Sequence, residues 1–256
     1  MMMKRFHQAY AKTAHKGQTL YDHTFQCVDV GLRLAQFVPS YPKFALDIVI
    51  MSLCIHDIGK LDPTFQKMLQ TRLKGQEYIG KLVKHEGHSL DHDHVLLVEN
   101  GLHELATELR ANFSYTVDID HFLQEEGLEW AWATAVNHHG LFYLSYEQGE
   151  AGQIQRRARR QWTSYTPLEV RRLTLVDCLF HFHPLGSLVI MADQIASYSF
   201  DKGYSLDTFF ANAQSLSALF NQLIEVAEET EESMKQDDPR DYQLRDMLLL
   251  LMGDPV

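Results

Sequence analysis

The sequence predicts an all-α protein, and three observations lead to that fold class. Between Tyr21 and Val38, apolar residues such as Phe25, Val28 and Leu32 recur at the spacing of one helix face. The stretch from Phe44 to Ile55 is apolar on all sides, which is typical of a buried helix. Alternating apolar and polar residues, the pattern of β-strands, are sparse, and we find no internal repeat. We therefore expect a bundle of helices.

The predicted helices follow one another after a short polar lead. We expect helices over residues 21–38, 44–56, 64–73, about 84–110, 128–137, 168–182, 188–198, 206–235 and 244–252. Gly59 and Pro63 are the residue types that follow a helix end. Residues 141–160 are polar and contain glycine, so we expect a mobile loop over a site there. Residues 1–205 are predicted to form the core, and 206–256 to add C-terminal helices or lead to a further region.

Composition sets the class of protein. With 256 residues and 45% hydrophobic content, the chain can bury a sizeable core. No uninterrupted apolar run of about eighteen residues is present, so no membrane span is predicted. The N-terminus has no apolar signal core, and we expect a cytoplasmic protein.

Cys27, Cys54 and Cys178 lie far apart in apolar helical contexts, so they are interpreted as small buried hydrophobes, not as disulfides or a zinc knuckle.

Charge limits how the chain can bind a nucleic acid. A net charge of −11 argues against binding by overall charge alone. One segment runs against this trend, and we call it the arginine cluster: Arg156, Arg157, Arg159 and Arg160. Such a cluster either follows a phosphate backbone or forms a solvated helix face. The sequence leaves both interpretations open.

The central feature is His56-Asp57 at the end of the apolar run, with Lys60 three residues beyond. A buried, unpaired carboxylate is costly, so Asp57 needs a cation or strong donors beside it. A plainer alternative is that Asp57 caps a loop while His56 is a hydrogen-bonded core histidine.

Further metal-capable residues stand at the ends or in the first turns of apolar helices. With the central pair, the candidates are His23, His56, Asp57, His85, His138, His139 and Asp193. Imidazole and carboxylate groups suit first-row transition metals such as iron, nickel, cobalt, manganese or zinc. Seven ligands are too many for one catalytic metal with open positions, and they fit two metals that share a bridging carboxylate.

The order H…HD…H…HH…D resembles the HD superfamily of metal-dependent phosphohydrolases. The flanking residues are similar to the HD nuclease of type I CRISPR interference, and the matching motifs span residues 23–197. They are H-D-I-G-K at 56–60, P-x-F-Q at 63–66, H-E-x-x-S at 85–89, H-H-G at 138–140 and A-D-x-x-A-S at 192–197.

This resemblance implies a role for each candidate residue. One metal is held by His23, His56, Asp57 and Asp193. Asp57 bridges to a second metal, which is also held by His85, His138 and His139. Asp57 and Lys60 are then catalytic, with Lys60 near the phosphate and Ser197 near the wall of the site.

The chain departs from the family pattern at two positions. His88 stands where an apolar residue is usual, and Gln194 where tryptophan is frequent. Either His85 or His88 is therefore a possible ligand. If His85 is the ligand, we expect His88 to support the ligands or to contact the substrate. The change at Gln194 affects the packing of the helix more than the chemistry of the site.

The implied function is a nuclease that uses two divalent transition metals, manganese, nickel, cobalt or iron, to hydrolyse single-stranded DNA in CRISPR defence. The sequence has no G-x-x-x-x-G-K-[ST] motif, so we expect a separate helicase and an RNA-guided effector complex as partners. The chain is either a stand-alone nuclease or the HD part of a larger protein. The alternatives are a phosphohydrolase of nucleotides or cyclic nucleotides, and a catalytically idle assembly module.

Overall fold

The structure is a computed structural model that describes residues 1–37, 41–80, 85, 88–89, 91–136, 138, 183–211, 213, 215, 218–219 and 221. It is helical apart from one small hairpin in this part of the chain, so the all-α prediction is confirmed. The elements are α1 (Met2–Gln8), β1 (Tyr10–Lys12), β2 (Gln18–Thr19), α2 (Leu20–Ala35), α3 (Lys43–Ile55), a 3-10 helix (Ile58–Leu61), α4 (Pro63–Leu73), α5 (His92–Phe113), α6 (Ile119–Gln124), α7 (Gly127–Ala135), α8 (His183–Lys202) and α9 (Leu206–Ala211).

The core lies where α2, α3 and α8 pack against one another, with α7 against α3. Helix α3 is buried from Asp47 to Ile55, as its largely apolar sequence predicts, and the buried Asp47 pairs with Lys43. Helices α2 and α3 approach closely at Gly31, where an added Cβ would lie 2.5 Å from Leu53 Cδ1. Because these helices run side by side, the residues at their ends converge on one region of the bundle.

The N-terminal residues are not the polar lead that the sequence predicts. Met2, Met3 and Phe6 are buried on α1, and β1 pairs with β2 as an antiparallel hairpin. Helix α1 has only two turns and each strand two or three residues, which is too short for either periodicity to stand out. This hairpin matters for the site, because it carries Lys12.

The predicted helix over residues 84–110 begins later than expected, at His92. Asp91 precedes it with an extended backbone (φ −62°, ψ 142°), so the chain on the two sides of Asp91 is not one helix. His85 and His88 instead belong to a turn, in which the His88 amide donates to the His85 carbonyl at 2.9 Å. His85, His88 and His92 therefore do not share a helix face.

Two further helix boundaries differ from the prediction. Helix α8 begins at His183, before the predicted start at residue 188, and it includes Pro184, because proline is tolerated in the first turn of a helix. The helix predicted over 206–235 is interrupted, because Ala213 and Ser215 are not helical. Ser215 Oγ accepts a hydrogen bond from the Ala218 amide (3.1 Å), as at the start of a new helix.

Other predicted elements keep their places. Helices α3, α4 and α7 correspond to the predictions for 44–56, 64–73 and 128–137, whereas no helix was predicted where α6 lies. The predictions for 141–160, 168–182 and 244–252 lie outside the described residues. Within the described part of the chain, every helix is too short or too polar to span a lipid bilayer.

Candidate metal centre

His23 enters the core from the first turn of α2. Thr19 caps the N-terminus of this helix, and its Oγ1 accepts a hydrogen bond from the Asp22 amide at 3.0 Å. The His23 side chain is fully buried, with Nε2 3.1 Å from Asp57 Oδ2 and 3.2 Å from Asp193 Oδ1. The imidazole therefore lies between two carboxylates that come from different parts of the chain.

His56 ends α3 with its ring orientation fixed by the backbone. Its Nδ1 donates to the Leu53 carbonyl at 2.7 Å, because a carbonyl oxygen can only accept. Nε2 therefore points the other way, into the cluster. This atom is buried and makes no hydrogen bond in the described structure. A fixed Nδ1–H with Nε2 turned toward carboxylates is the arrangement of a metal-binding histidine.

The two oxygens of Asp57 face different histidines. Oδ2 lies 3.1 Å from His23 Nε2 and 3.5 Å from His56 Nε2. Oδ1 lies 3.0 Å from His85 Nε2 and 3.8 Å from His138 Nε2. The carboxylate is only 2% exposed, so its interactions are with these side chains and not with bulk water. Asp57 thus stands between two groups of histidines, one on each oxygen.

His85 reaches Asp57 because its turn packs closely on the 3-10 helix. A Cβ built on Gly59 would lie 2.0 Å from the His85 carbonyl oxygen, so a side chain at position 59 would displace this turn. The Phe65 ring packs edge-on against the His85 ring, with centroids 5.3 Å apart. The sequence predicted Gly59 only as a residue that follows a helix end. The structure shows a second reason for glycine here, because the two backbones approach too closely for a side chain.

His88 points away from this cluster. Its Nδ1 lies 2.8 Å from Asp91 Oδ2, and its side chain is 35% exposed. The structure therefore places His85 beside Asp57, and it places His88 at the surface.

His138 follows α7 with the same backbone anchoring as His56. Its Nδ1 donates to the Ala135 carbonyl at 2.6 Å, which directs Nε2 toward Asp57. The His138 and His56 rings meet edge to face, with centroids 4.9 Å apart. His139 and the arginine cluster lie outside the described residues, and their predicted roles stay predictions.

Lys60 lies against the cluster from the 3-10 helix. Its Nζ is 2.5 Å from Asp57 Oδ2, and the residue is 7% exposed. Burial alone would raise the pKa of Asp57, but Lys60, His56 and hydrogen bonds from His23 and His85 hold that pKa well below its usual range. Asp57 is therefore ionised at neutral pH, as a metal ligand must be.

The histidines carry the complementary shift. Burial opposes protonation of His23, but the Cys27 sulfur and hydrogen bonds to Asp193 and Asp57 raise its pKa to about 10. The pKa of His56 is also raised, because Asp57 and Asp193 outweigh the effect of burial. In the metal-free protein, protons on these rings thus balance the buried carboxylates, and a metal ion would have to replace them.

Asp193 is held by a chain of hydrogen bonds that reaches the N-terminal hairpin. Ser197 Oγ donates to Asp193 Oδ1 at 3.1 Å and accepts from Lys12 Nζ at 2.7 Å. Ser197 was predicted at the wall of the site, and this contact gives it a partner there. Lys12 was not identified from the sequence, because nothing in a three-residue strand marks it as a neighbour of α8. Gln194, one residue after Asp193, is partly exposed.

Cys27 lies inside the cluster, although the sequence interpretation treated it as a small hydrophobe. Its Sγ is 3.8 Å from His23 Nε2 and 3.9 Å from Asp193 Oδ1. The signal that identifies it is its position four residues after His23 on one helix, which puts both side chains on the same face. Cys54 is buried like Cys27, and its pKa is raised chiefly by that burial.

These side chains fit divalent transition metals. Among the described residues, donor atoms within 4.8 Å of one another form two overlapping sets, which share His56: His23, Cys27, His56 and Asp193; and His56, Asp57 and His138. Imidazole, carboxylate and sulfur donors are typical ligands of first-row transition metals. The buried Nε2 of His56, without a hydrogen bond, fits the same conclusion.

Comparison with known proteins identifies the family. A family model described as Cas3, HD domain matches residues 10–200. The chain belongs to the Cas3 HD-domain family. Comparisons with curated proteins and with solved structures gave no match. The Cas3 HD domains are CRISPR-associated, metal-dependent nucleases, and the matched span contains all the residues of the His/Asp cluster described above.

Proposed function

We propose that this Cas3 HD-domain protein hydrolyses the phosphodiester bonds of single-stranded DNA in CRISPR antiviral defence, with two divalent transition metals bound around Asp57. One observation carries the proposal: Asp57 Oδ2 faces His23 and His56, while Oδ1 faces His85 and His138. A carboxylate with separate nitrogen donors on each oxygen is suited to bridge two metals.

Each metal has its own set of residues in this proposal. His23, His56, Asp57 and Asp193 would hold the first. Asp57, His85 and His138 would hold the second, and His139 is predicted to complete this set. When bound, such metals lower the pKa of a coordinated water and neutralise charge on the phosphoryl oxygens.

The protein's own side chains supply position and charge. Backbone carbonyls hold His56 and His138 through Nδ1, so that both Nε2 atoms face the cluster. Lys60 contributes a positive charge beside Asp57, where a phosphate group would approach the centre. Ser197 holds the Asp193 carboxylate in place from the adjacent turn of α8. No serine or cysteine nucleophile is needed for this hydrolysis.

The substrate assignment follows from the family and from the charge distribution. The net charge of −11 disfavours broad binding to nucleic acid, so the arginine cluster is the segment we assign to the phosphate backbone. We expect little sequence preference and poor cleavage of intact duplex. A separate helicase and an RNA-guided complex would then supply the single strand.

The experiment combines metal analysis with a panel of substrates. Protein stripped with EDTA is reloaded with manganese, nickel, cobalt, iron or magnesium, and is offered single-stranded DNA, duplex DNA, RNA and mononucleotides. We expect about two metals per chain, as the two faces of Asp57 require, and cleavage of single-stranded DNA without ATP. Asp57→Asn should lose both metals and nearly all cleavage. Asp29→Asn is the matched control, since Asp29 pairs with Arg33 away from the centre.

Three outcomes would contradict the proposal. Full activity at one metal per chain would exclude the dinuclear centre. Hydrolysis of mononucleotides with single-stranded DNA untouched would favour a small-molecule phosphohydrolase. Metal binding without hydrolysis of any substrate would indicate an assembly module.

A further inference from the structure

We propose that Cys27 Sγ is a ligand of the metal bound between α2 and α8, together with His23, His56 and Asp193. This set of one thiolate, two imidazoles and one carboxylate would favour cobalt(II) and zinc(II) over manganese(II). The inference rests on the metal centre of the proposed function, and it adds a ligand that the HD motifs do not include.

The spacing of the donor atoms places all four residues around one metal position. With metal–nitrogen bonds of about 2.0–2.1 Å and metal–sulfur bonds of about 2.3 Å, neighbouring donors lie roughly 3.3–3.6 Å apart. In the structure His23 Nε2 lies 3.2 Å from Asp193 Oδ1, and Cys27 Sγ lies 3.8 Å and 3.9 Å from these two atoms. Donor atoms of all four residues lie within 4.8 Å of one another. Cys27 Sγ also lies 3.9 Å from His23 Nδ1, so the sulfur lies beside the ring and must move toward the Nε2 side to bind the metal.

A second observation, on a different side chain, points to a ligand at this place. His56 Nε2 is buried, makes no hydrogen bond in the described structure, and belongs to the same set of donors. Only 1% of His56 is exposed to solvent. The acceptors nearest to Nε2 are the carboxylates of Asp57 and Asp193, at 3.5 Å and 3.8 Å, and a cation bound by the set would satisfy these three groups together.

The surroundings of Cys27 differ from those of a cysteine that only fills space. Its sulfur faces an imidazole nitrogen and a carboxylate oxygen, and it is completely buried. Cys54 is also free and buried, but it belongs to neither set of metal-capable donors. The chain therefore contains its own control for a buried thiol.

Charge and softness give the set its metal preference. Binding replaces the thiol proton by the metal, and that proton leaves to solvent. The resulting thiolate and the Asp193 carboxylate carry two negative charges, which balance one divalent cation. The charge of Asp57, which bridges the two metals in the proposed function, is then shared with the second metal. Thiolate ligands favour cobalt and zinc, whereas manganese prefers oxygen donors.

Cobalt(II) tests the inference directly, because a sulfur–cobalt bond gives a near-ultraviolet charge-transfer band that nitrogen and oxygen ligands do not give. The full-length protein, stripped with EDTA, is titrated with cobalt(II) and followed by absorption spectroscopy. We expect the band in the wild type, its loss in Cys27→Ser, and its retention in Cys54→Ser. Cobalt should bind at least about tenfold more weakly to Cys27→Ser, while manganese affinity changes much less.

The outcomes separate this inference from the proposed function. If cobalt binds the wild type and gives no charge-transfer band, the inference is wrong, and this result depends on no variant. A band that persists in Cys27→Ser would also contradict the inference. DNA cleavage with no sulfur band leaves the nuclease standing and removes Cys27 from the ligands. A sulfur band that depends on Cys27, in a protein that cleaves no DNA, supports the ligand and contradicts the nuclease. Circular dichroism on each variant confirms that it is folded.

Discussion

Replacing Gly59 with alanine tests how closely the 3-10 helix must approach the turn that carries His85. The new Cβ would lie 2.0 Å from the His85 carbonyl oxygen and 2.8 Å from the Ser89 amide nitrogen. Ordinary contacts begin at 3.4 Å, so the backbone of the turn must retreat by about 1.4 Å. Both crowded atoms belong to the backbone, so a change of side-chain rotamer cannot relieve the contact.

A retreat of this size separates His85 from Asp57. His85 Nε2 now lies 3.0 Å from Asp57 Oδ1, and metal–ligand distances tolerate only about ±0.2 Å. We therefore expect Gly59→Ala to hold the first metal and to bind the second poorly. Cleavage should fall by about a hundredfold or more, the scale of an ångström misplacement in an active site. Overpacking should also lower the free energy of unfolding by about 1–3 kcal/mol.

Gly101→Ala is the matched control for this substitution. Its Cβ would also be crowded, at 2.6 Å from Met2 Sδ, but that atom belongs to a flexible side chain outside the metal centre. We expect this variant to keep its metals and its rate, whatever stability it loses. Elemental analysis, thermal unfolding and single-strand cleavage are measured on both variants. A Gly59→Ala protein with two metals and the wild-type rate would refute the argument.

Three further predictions concern the ligands and the substrate path. His85→Ala should lack one metal and lose activity by orders of magnitude, whereas His88→Ala should keep both metals and lose about a hundredfold at most, by metal analysis and cleavage assays. Replacing the arginine cluster should weaken DNA binding and flatten its salt dependence, with metal content unchanged, as measured by binding titrations at several salt concentrations. In the metal-free protein, stabilisation from His23 is complete below pH 6.5 and is lost as pH rises through about 10. Stabilisation from Asp57 is present above pH 3.8 and is lost as pH falls through its lowered pKa, so calorimetry should find the melting temperature highest between about pH 4 and 6.5.

Each of these has a result that would contradict it. A His88→Ala protein that loses a metal while His85→Ala keeps both would show that the motif is shifted by three residues. An unchanged binding isotherm would make the arginine cluster a solvated helix face. A melting temperature of the stripped protein that keeps rising above pH 7 would contradict protonated histidines as counter-ions of the carboxylates.

The sequence predicts the centre best where a residue follows a strongly apolar helix. Helix α3 is apolar on every face, so its end had to lie inside the protein, and His56 and Asp57 are buried there. His23 and Asp193 lie on neighbouring packed helices, and the predicted order of motifs already placed them in one site. Site residues that lie on or directly after regular helices could therefore be predicted from the helical periodicity combined with the order of the motifs.

Contacts that depend on short elements could not be predicted. Lys12 and Ser197 are 185 residues apart, and their hydrogen bond needs a hairpin too small to give a pattern. Spacing alone left His85 and His88 equally eligible, because both fit one face of an assumed helix. The extended backbone at Asp91 and the close packing at Gly59 distinguish them, and both are properties of three-dimensional structure.

The distance along the chain between the residues of this centre has a consequence during synthesis. Cys27 and Asp193 are 166 residues apart, and they meet only when α8 has packed against α2. A nascent chain on the ribosome that has not yet released residue 193 lacks one wall of the centre, however well its first helices have formed. Contacts of such long range are completed late in folding. Assembly of the centre is thus coupled to synthesis through at least α8, since shorter products lack Asp193 and cannot close this part of the site.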